Sequence, residues 1–141
     1  MNNWFIWALL SAAFAALTAI LAKVGVADMN PNLATAIRTT VILVFTWGLV
    51  FCLDGKADFA GLNPRSWFFL IASGLATGLS WLCYFRALKL GDVSKVAPVD
   101  KLSVALAIIL AVLFLGEKVK PQEVAGAALI VLGVVVMVVK L

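Results

Sequence analysis

Three charged side chains, Arg38, Asp100 and Lys101, lie inside stretches of sequence that are otherwise almost free of charge. Charges inside long apolar segments are costly, and they usually mark a pathway for a solute or a pair that joins two helices. A guanidinium can bind carboxylates and phosphates through two parallel hydrogen bonds. A carboxylate beside an ammonium can orient a polar ligand. These three residues are therefore the first candidates for chemistry in this chain.

The residue types needed for covalent or hydrolytic chemistry are not grouped in the sequence. The chain has no histidine, and its two cysteines, Cys52 and Cys83, have no metal-ligand spacing. No nucleotide motif or phosphate-binding glycine loop is present. We therefore expect no enzyme activity, no cofactor and no bound metal. The bases behind the net charge of +4 fall mostly at segment ends, as in membrane proteins, so nucleic acid is not an expected partner.

The composition predicts the fold class. Apolar residues make up 65% of the 141 residues, and charged residues make up only 13%. A soluble domain of this size cannot hide so much apolar surface, so lipid must be its main solvent. We predict an all-α integral membrane protein, a single domain over residues 1–141 with five transmembrane helices. The predicted helices cover residues 4–27, 33–53, 66–86, 95–115 and 121–140.

The expected depths of the charged residues in the bilayer place them near one another. About 20 residues of helix span the hydrocarbon, and the uncharged parts of the second and fourth segments contain only 15 and 14 residues. Arg38 and Asp100 are therefore expected at similar depth on one side of the membrane. Lys23, Arg86 and Lys101 approach the same side, which predicts a charged vestibule. The alternative is that Arg38 and Asp100 only pin two helices together, while Lys23, Arg86 and Lys101 reach lipid headgroups.

Several residues near these charges are candidates for a substrate pathway. Pro98 lacks a backbone donor and perturbs the helix just before Asp100, so we predict that it is a hinge. The alternative is that Pro98 simply lies in the first turn of the fourth segment, where proline is tolerated and implies no hinge. Trp81, Tyr84 and Ser103 are candidate pocket residues, because aromatic side chains with a polar atom can contact both the apolar and the polar parts of a solute.

Two pairs of glycines predict close contact between helices. Gly74 and Gly78 are four residues apart in the third segment, and Gly126 and Gly133 are seven apart in the fifth. Small residues at such spacings let helix backbones approach each other, within one protomer or between two. Packing is therefore their expected use.

Short motifs in the second half of the chain form a recognisable series. They are Ala87-Leu88, Gly91, Ser94, Val96-Ala97-Pro98, Leu115-Gly116-Glu117 and the glycine-bounded stretch 126–133. This series closely resembles the C-terminal half of an EamA domain of the drug/metabolite transporter superfamily. The upstream part fits a five-helix domain of this kind, including the basic residue Arg38 in the second helix. The resemblance therefore covers essentially the whole chain.

The resemblance implies export or exchange of small metabolites, amino acids or drugs across the inner membrane, along a pathway built between two domains. One such domain would need a second copy or a paralogue in inverted orientation. We therefore expect a secondary transporter of a small polar or amino-acid-like solute, surrounded by membrane lipids. A flippase for lipid-linked sugars or phospholipids, and a non-transporting membrane subunit, are the alternatives. The first-helix glutamate of small multidrug transporters has no counterpart here, which disfavours proton-coupled drug export.

Basic residues are nearly balanced between the two membrane faces. The N-terminal side carries four, and the other side carries five when Arg38 and Lys101 are left out as intramembrane. The positive-inside rule then gives only a weak bias, so both orientations can occur in one population. An antiparallel dimer would place one vestibule on each face, which is the symmetry that alternating access needs. The excess of bases favours anionic or zwitterionic solutes, although lipid phosphates could take up the same charges.

Overall fold

The computed structural model describes residues 4–54 and 63–139, and within these ranges it contains helices and short connections. The α-helices are α1 (Trp4–Val26), α2 (Pro31–Leu49), α3 (Pro64–Leu90), α4 (Val93–Asp100), α5 (Leu102–Leu110) and α6 (Pro121–Val138). A turn of π-helix continues α2 over Val50–Asp54, and another continues α5 over Ala111–Leu115. In this described part of the chain, five helical stretches are long and apolar enough to cross a membrane. The predicted five-helix membrane architecture is confirmed.

Local sequence explains where several helices begin and end. The Asn30 side chain accepts a hydrogen bond from the Asn32 amide at 2.8 Å, which caps the start of α2. The Glu123 side chain accepts one from the Lys120 amide at 2.8 Å at the start of α6. Gly116 ends the fourth span with φ of 68°, a left-handed conformation that glycine adopts without strain.

Three spans differ from their predicted limits, and the second begins at Pro31 rather than at residue 33. The third helix runs over Pro64–Leu90 rather than 66–86. It starts earlier because the Asn63 side chain accepts a hydrogen bond from the Arg65 amide at 3.0 Å, and it ends only before Gly91, the next helix breaker. The fourth span begins at Val93 instead of 95, and it is interrupted at residue 101. The predicted end of the last helix, residue 140, lies outside the described residues.

The helices pack as two compact units, unit 1 (Met1–Leu90) and unit 2 (Gly91–Leu141). In unit 1, α3 packs against both α1 and α2. In unit 2, α6 packs against α4 and α5. The small buried core of unit 1 consists of Ala19, Ala22, Val26, Ala34, Thr35, Phe85 and Leu88.

Most apolar side chains of the five spans are exposed. At most 6% of the apolar window of any span is buried inside the protein. Phe114, for example, is 80% exposed. In water, so large an apolar surface would drive aggregation, whereas in a bilayer lipid tails or another chain cover it. The protein is therefore a multi-pass membrane protein.

The four glycines predicted to mediate helix contacts have open space around them. A methyl group added at Gly74, Gly78, Gly126 or Gly133 would meet no described atom of the same unit within 4 Å. These glycines therefore do not provide close approach between helices of their own unit. Contact with a second chain remains a prediction for them.

Candidate functional site

Arg38 bridges α2 and α3 through two aromatic rings. Its guanidinium carbon lies 4.4 Å from the centroid of the Trp81 ring and 5.5 Å from that of Phe85. Both distances fall within the range where a cation is attracted to the face of an aromatic ring. The Phe85 side chain is only 3% exposed, so packing fixes its position. The rings therefore hold Arg38 in one place inside the membrane span of α2.

The spacing of the two rings explains why they meet one arginine. Trp81 and Phe85 are four residues apart on α3, so their side chains lie one above the other on the same helix face. That face packs toward α2, the helix with which α3 makes its most extensive contact. Arg38 is the basic residue that α2 presents there.

A groove of about 340 Å³ lies beside Arg38 in unit 1. Its α1 wall consists of Thr18, Leu21, Ala22 and Gly25. The other described lining residues are Met29, Ala34, Ile37, Arg38 and Phe85. Arg38 is the charged member of this set, and Thr18 adds a hydroxyl group. An apolar groove with a few polar groups is typical of sites for small molecules.

Sequence analysis does not identify the wall that α1 contributes. Thr18, Ala22 and Gly25 are small residues spaced by four and three, so they lie on one face of the helix. This run of small residues is the pattern that could have pointed to the groove, since it leaves room beside a neighbouring helix. The positions of charged residues do not indicate this wall, because none of its α1 residues is charged and the charged residue of α1 is Lys23.

Two lysines connect the helix ends of unit 1. The Lys23 Nζ donates a hydrogen bond to the carbonyl oxygen of Leu88 at 2.6 Å. The Lys89 Nζ donates one to the carbonyl oxygen of Met29 at 2.7 Å. Leu88 lies in the last turn of α3, where carbonyls lack helical partners and carry the negative end of the helix dipole. Lys23 therefore joins α1 to α3, a role that differs from both predictions, a vestibule charge and a contact with lipid headgroups.

Replacing Lys23 by methionine is expected to destabilise unit 1 by about 1–2 kcal/mol, because the partly buried Leu88 carbonyl loses its charged donor. Thermal unfolding of the purified protein in one detergent measures the effect. The matched control is Lys95→Met. Lys95 lies 3.6 Å from Asp92, but both side chains are more than half exposed, so their pair contributes little. Equal unfolding temperatures for the two variants would contradict this assignment.

Asp100 and Lys101 lie where the fourth span is interrupted. The Lys101 amide donates to the carbonyl of Pro98 at 3.0 Å, and the Val104 amide donates to the carbonyl of Lys101 at 3.0 Å. These bonds span three residues, so the helix is locally tighter than an α-helix. Pro98 lies inside α4 and not in its first turn, because α4 begins at Val93. The first-turn explanation of Pro98 is therefore wrong. The proline lacks the N–H that would bond to the carbonyl of Ser94 inside α4, and its role as a hinge remains a prediction.

The predicted pathway residues fall into two groups in the structure. Unit 1 brings Arg38 and Trp81 together, with Tyr84 half-buried on the same helix as Trp81. Unit 2 pairs Asp100 with its neighbour Lys101, whose Nζ lies 3.3 Å from Oδ2 of Asp100. The charged vestibule remains a prediction. One of its further predicted members, Arg86 on α3, is exposed, and so is the candidate pocket residue Ser103 on α5.

Comparison with known proteins decides the family. Residues 2–139 match the EamA-like transporter family. The chain belongs to this family. A Sinorhizobium protein called an uncharacterized transporter in the cobO 3′ region is 53% identical over 138 residues, which are 98% of each chain. The uncharacterized transporter YxxF of Bacillus subtilis (strain 168) is 27% identical over 141 residues, which are 99% of this chain but 44% of that protein. No solved structure matches the chain.

Membership of the EamA-like family confirms the resemblance found in the sequence motifs. It also explains the sparse internal burial, since the family consists of membrane transporters. No group of three or more histidine, cysteine, aspartate or glutamate residues that could hold a metal ion lies among the residues that the structure describes. Two features of the described structure can be related to transport. They are the groove beside Arg38 and the interrupted fourth span.

Proposed function

We propose that this EamA-like protein is a secondary transporter of a small anionic or zwitterionic metabolite across the cytoplasmic membrane. The observation that carries the proposal is Arg38, held by two rings at the edge of a groove of about 340 Å³. An arginine at the centre of a membrane helix costs about 2.5–3.5 kcal/mol or more, and Arg38, nearer the start of its span, costs part of this. Contact with aromatic rings offsets about 0.5–2 kcal/mol of this cost. An anionic group of the solute would supply the remaining compensation.

The residues of both units have separate roles in this proposal. Arg38 binds the anionic group of the solute, and Trp81 keeps the guanidinium in place. Asp100 and Lys101 act as gating charges. Pro98 supplies the flexible point in the fourth span, because discontinuous helices beside charges are a common device for substrate sites in transporters.

An inverted dimer with alternating access would complete the pathway. Five spans place the two ends of the chain on opposite sides of the membrane. The Bacillus subtilis relative is more than twice as long as the stretch that this chain matches, which leaves room for a second domain of the same size. In this chain, the second domain would come from a second copy or from a paralogue. The two chains would be related by a two-fold axis in the membrane plane.

A lipid flippase is the second candidate, and a groove in unit 2 favours it. This groove has a volume of about 690 Å³ and lies between the fourth and fifth spans. Its described lining is entirely aliphatic, with residues such as Ile108, Val112, Val124 and Val131. An acyl chain would fit such a surface. Liposomes that carry a fluorescent phospholipid would show lipid translocation directly, in parallel with solute exchange.

The test of the proposal is solute exchange in proteoliposomes. Vesicles are loaded with unlabelled carboxylates or amino acids, and entry of the labelled compound is measured. Pro98→Ala restores a helical N–H and is expected to slow exchange by about threefold or more without weakening solute binding, because a conformational step limits turnover. Pro121→Ala is the matched control, since Pro121 lies in the first turn of α6, where proline is tolerated.

Two results would contradict this assignment. If no solute moves at all, transport is excluded for the purified protein. If Pro98→Ala and Pro121→Ala exchange solute at the same rate as the parent protein, Pro98 is not the flexible point.

A further inference from the structure

We infer that the groove of unit 1 selects a monoanion with an apolar body and discriminates against zwitterions such as amino acids. The inference rests on the proposed function and narrows the class of solute that the transporter accepts. It follows from the charge, the walls and the size of the groove.

The charge of the groove favours a single negative group. Arg38 lines the groove, and none of the described lining residues is acidic. A carboxylate placed at Arg38 balances the guanidinium. The α-ammonium of an amino acid would lie a few ångströms from the same guanidinium and would be repelled by it. It would also lose its hydration without gaining an anionic partner from these walls.

The aromatic contacts of Arg38 add geometric selectivity. Trp81 and Phe85 lie against the guanidinium at 4.4 and 5.5 Å from their ring centroids. A guanidinium donates its hydrogen bonds in its own plane, and aromatic rings offer it no oxygen acceptor, so these contacts leave the N–H donors along its edges for a ligand. A planar carboxylate can accept two parallel bonds from such an edge. An arginine fixed in this way is therefore prepared for a carboxylate.

The rest of the groove fits an apolar body. Leu21, Ile37 and Phe85 supply most of its larger side chains, and Thr18 supplies one hydroxyl group. A groove of about 340 Å³ lies at the lower end of the size range of small-molecule sites. A compact aliphatic or aryl carboxylate of about a dozen non-hydrogen atoms matches this space. A solute with many hydroxyl groups would leave them without partners along the apolar walls.

Three related probes test the inference on the purified protein in detergent and in proteoliposomes. Phenylpropanoate carries only the carboxylate, phenylalanine adds an α-ammonium, and phenylethylamine carries only the ammonium. We expect phenylpropanoate to bind at least about tenfold more tightly than phenylalanine, and phenylethylamine not to bind. Titration calorimetry gives the affinities, and counterflow gives the matching order of exchange rates.

Two substitutions locate the selectivity in this groove. Arg38→Gln is expected to abolish the preference for phenylpropanoate over phenylalanine. Arg65→Lys is the control, because Arg65 also contacts an aromatic ring, that of Phe69 at 5.8 Å, but does not line the groove, and lysine keeps the positive charge on that membrane face. Gly25→Leu leaves the charge in place and fills the groove.

The Gly25→Leu variant keeps the test informative if Arg38→Gln fails to fold. A methyl group at Gly25 would meet no described atom within 4 Å, and Gly25 lines the groove, so a larger side chain there has space at its Cβ and extends from the groove wall. It is expected to weaken phenylpropanoate binding by about tenfold or more, since it takes the space of the ligand body. Gly48→Leu is its control, because Gly48 also has open space and lies outside the groove.

The outcomes separate this inference from the proposed function. Phenylalanine that binds as tightly as phenylpropanoate would overturn the selectivity for monoanions, while exchange of either compound would still support transport. Failure of all three probes to bind would also overturn it. Transport itself would then be decided by the wider set of carboxylates and amino acids in the exchange assay.

Discussion

Replacing Arg38 by glutamine is expected to lower kcat/KM for solute exchange by about 10- to 100-fold. A hydrogen bond to a charged group contributes about 1.5–3 kcal/mol, and about 1.4 kcal/mol corresponds to a factor of ten. The protein should remain folded, because removal of a charge from a membrane span is itself favourable. Exchange rates in proteoliposomes over a range of solute concentrations give kcat/KM, and thermal unfolding in detergent reports on the fold.

Two further variants show which property of Arg38 matters. Arg38→Lys keeps the positive charge but loses the planar donor edge and its contact with the Trp81 ring. It is expected to recover only part of the lost exchange. Arg65→Lys, which keeps the number of bases on its membrane face, should behave as the parent protein. Exchange by Arg38→Gln at the parent rate would mean that Arg38 only joins α2 to α3.

The sequence identifies Arg38 more readily than its partners. One arginine near the start of a long apolar segment is visible from composition, and the limits of the spans follow from the lengths of apolar runs. The ring contacts with Trp81 and Phe85 depend on which faces of α2 and α3 meet. That choice belongs to tertiary packing, so sequence reasoning looked first for an acidic partner, Asp100.

Long-range bonds to the backbone are the part of unit 1 that local sequence does not predict. The lysine-to-carbonyl bonds from Lys23 to Leu88 and from Lys89 to Met29 join residues 65 and 60 positions apart. Any carbonyl near a helix end can accept such a bond, so no residue type marks the acceptor. Local sequence does not predict the break at residue 101 either, because the donor missing at Pro98 affects the turn before the proline.

Labelling of single cysteines is expected to find both orientations of the chain in one membrane. The two faces carry nearly equal numbers of bases, five against four when the intramembrane residues are left out. Cys52 and Cys83 are free and exposed, so both are first replaced by serine. One cysteine then replaces Glu117, an exposed residue whose negative charge has little influence on orientation. A membrane-impermeant reagent should label about half of the protein in whole cells, and all of it after the cells are opened.

Variants with a fixed orientation turn this result into a test of the antiparallel dimer. Lys118→Gln with Lys120→Gln leaves two bases against five. Lys95→Gln and Lys140→Gln, combined with Gln122→Lys, leave five against three in the opposite sense. Each variant alone should label from one side and lose at least about tenfold of its exchange, because it lacks an inverted partner. Expression of both together should restore exchange.

The opposite result has an equally definite meaning. A parent protein that labels from one side only cannot form an antiparallel homodimer, since both of its copies would face the same way. Exchange that persists in such a protein would require a paralogous chain in the opposite orientation. If exchange is then absent, and Arg38→Gln changes nothing in the cell, the role that fits is a membrane subunit that supports a partner without transporting a solute. Arg38 would then stabilise contact between α2 and α3 through its rings, and the groove beside it would have no solute to bind.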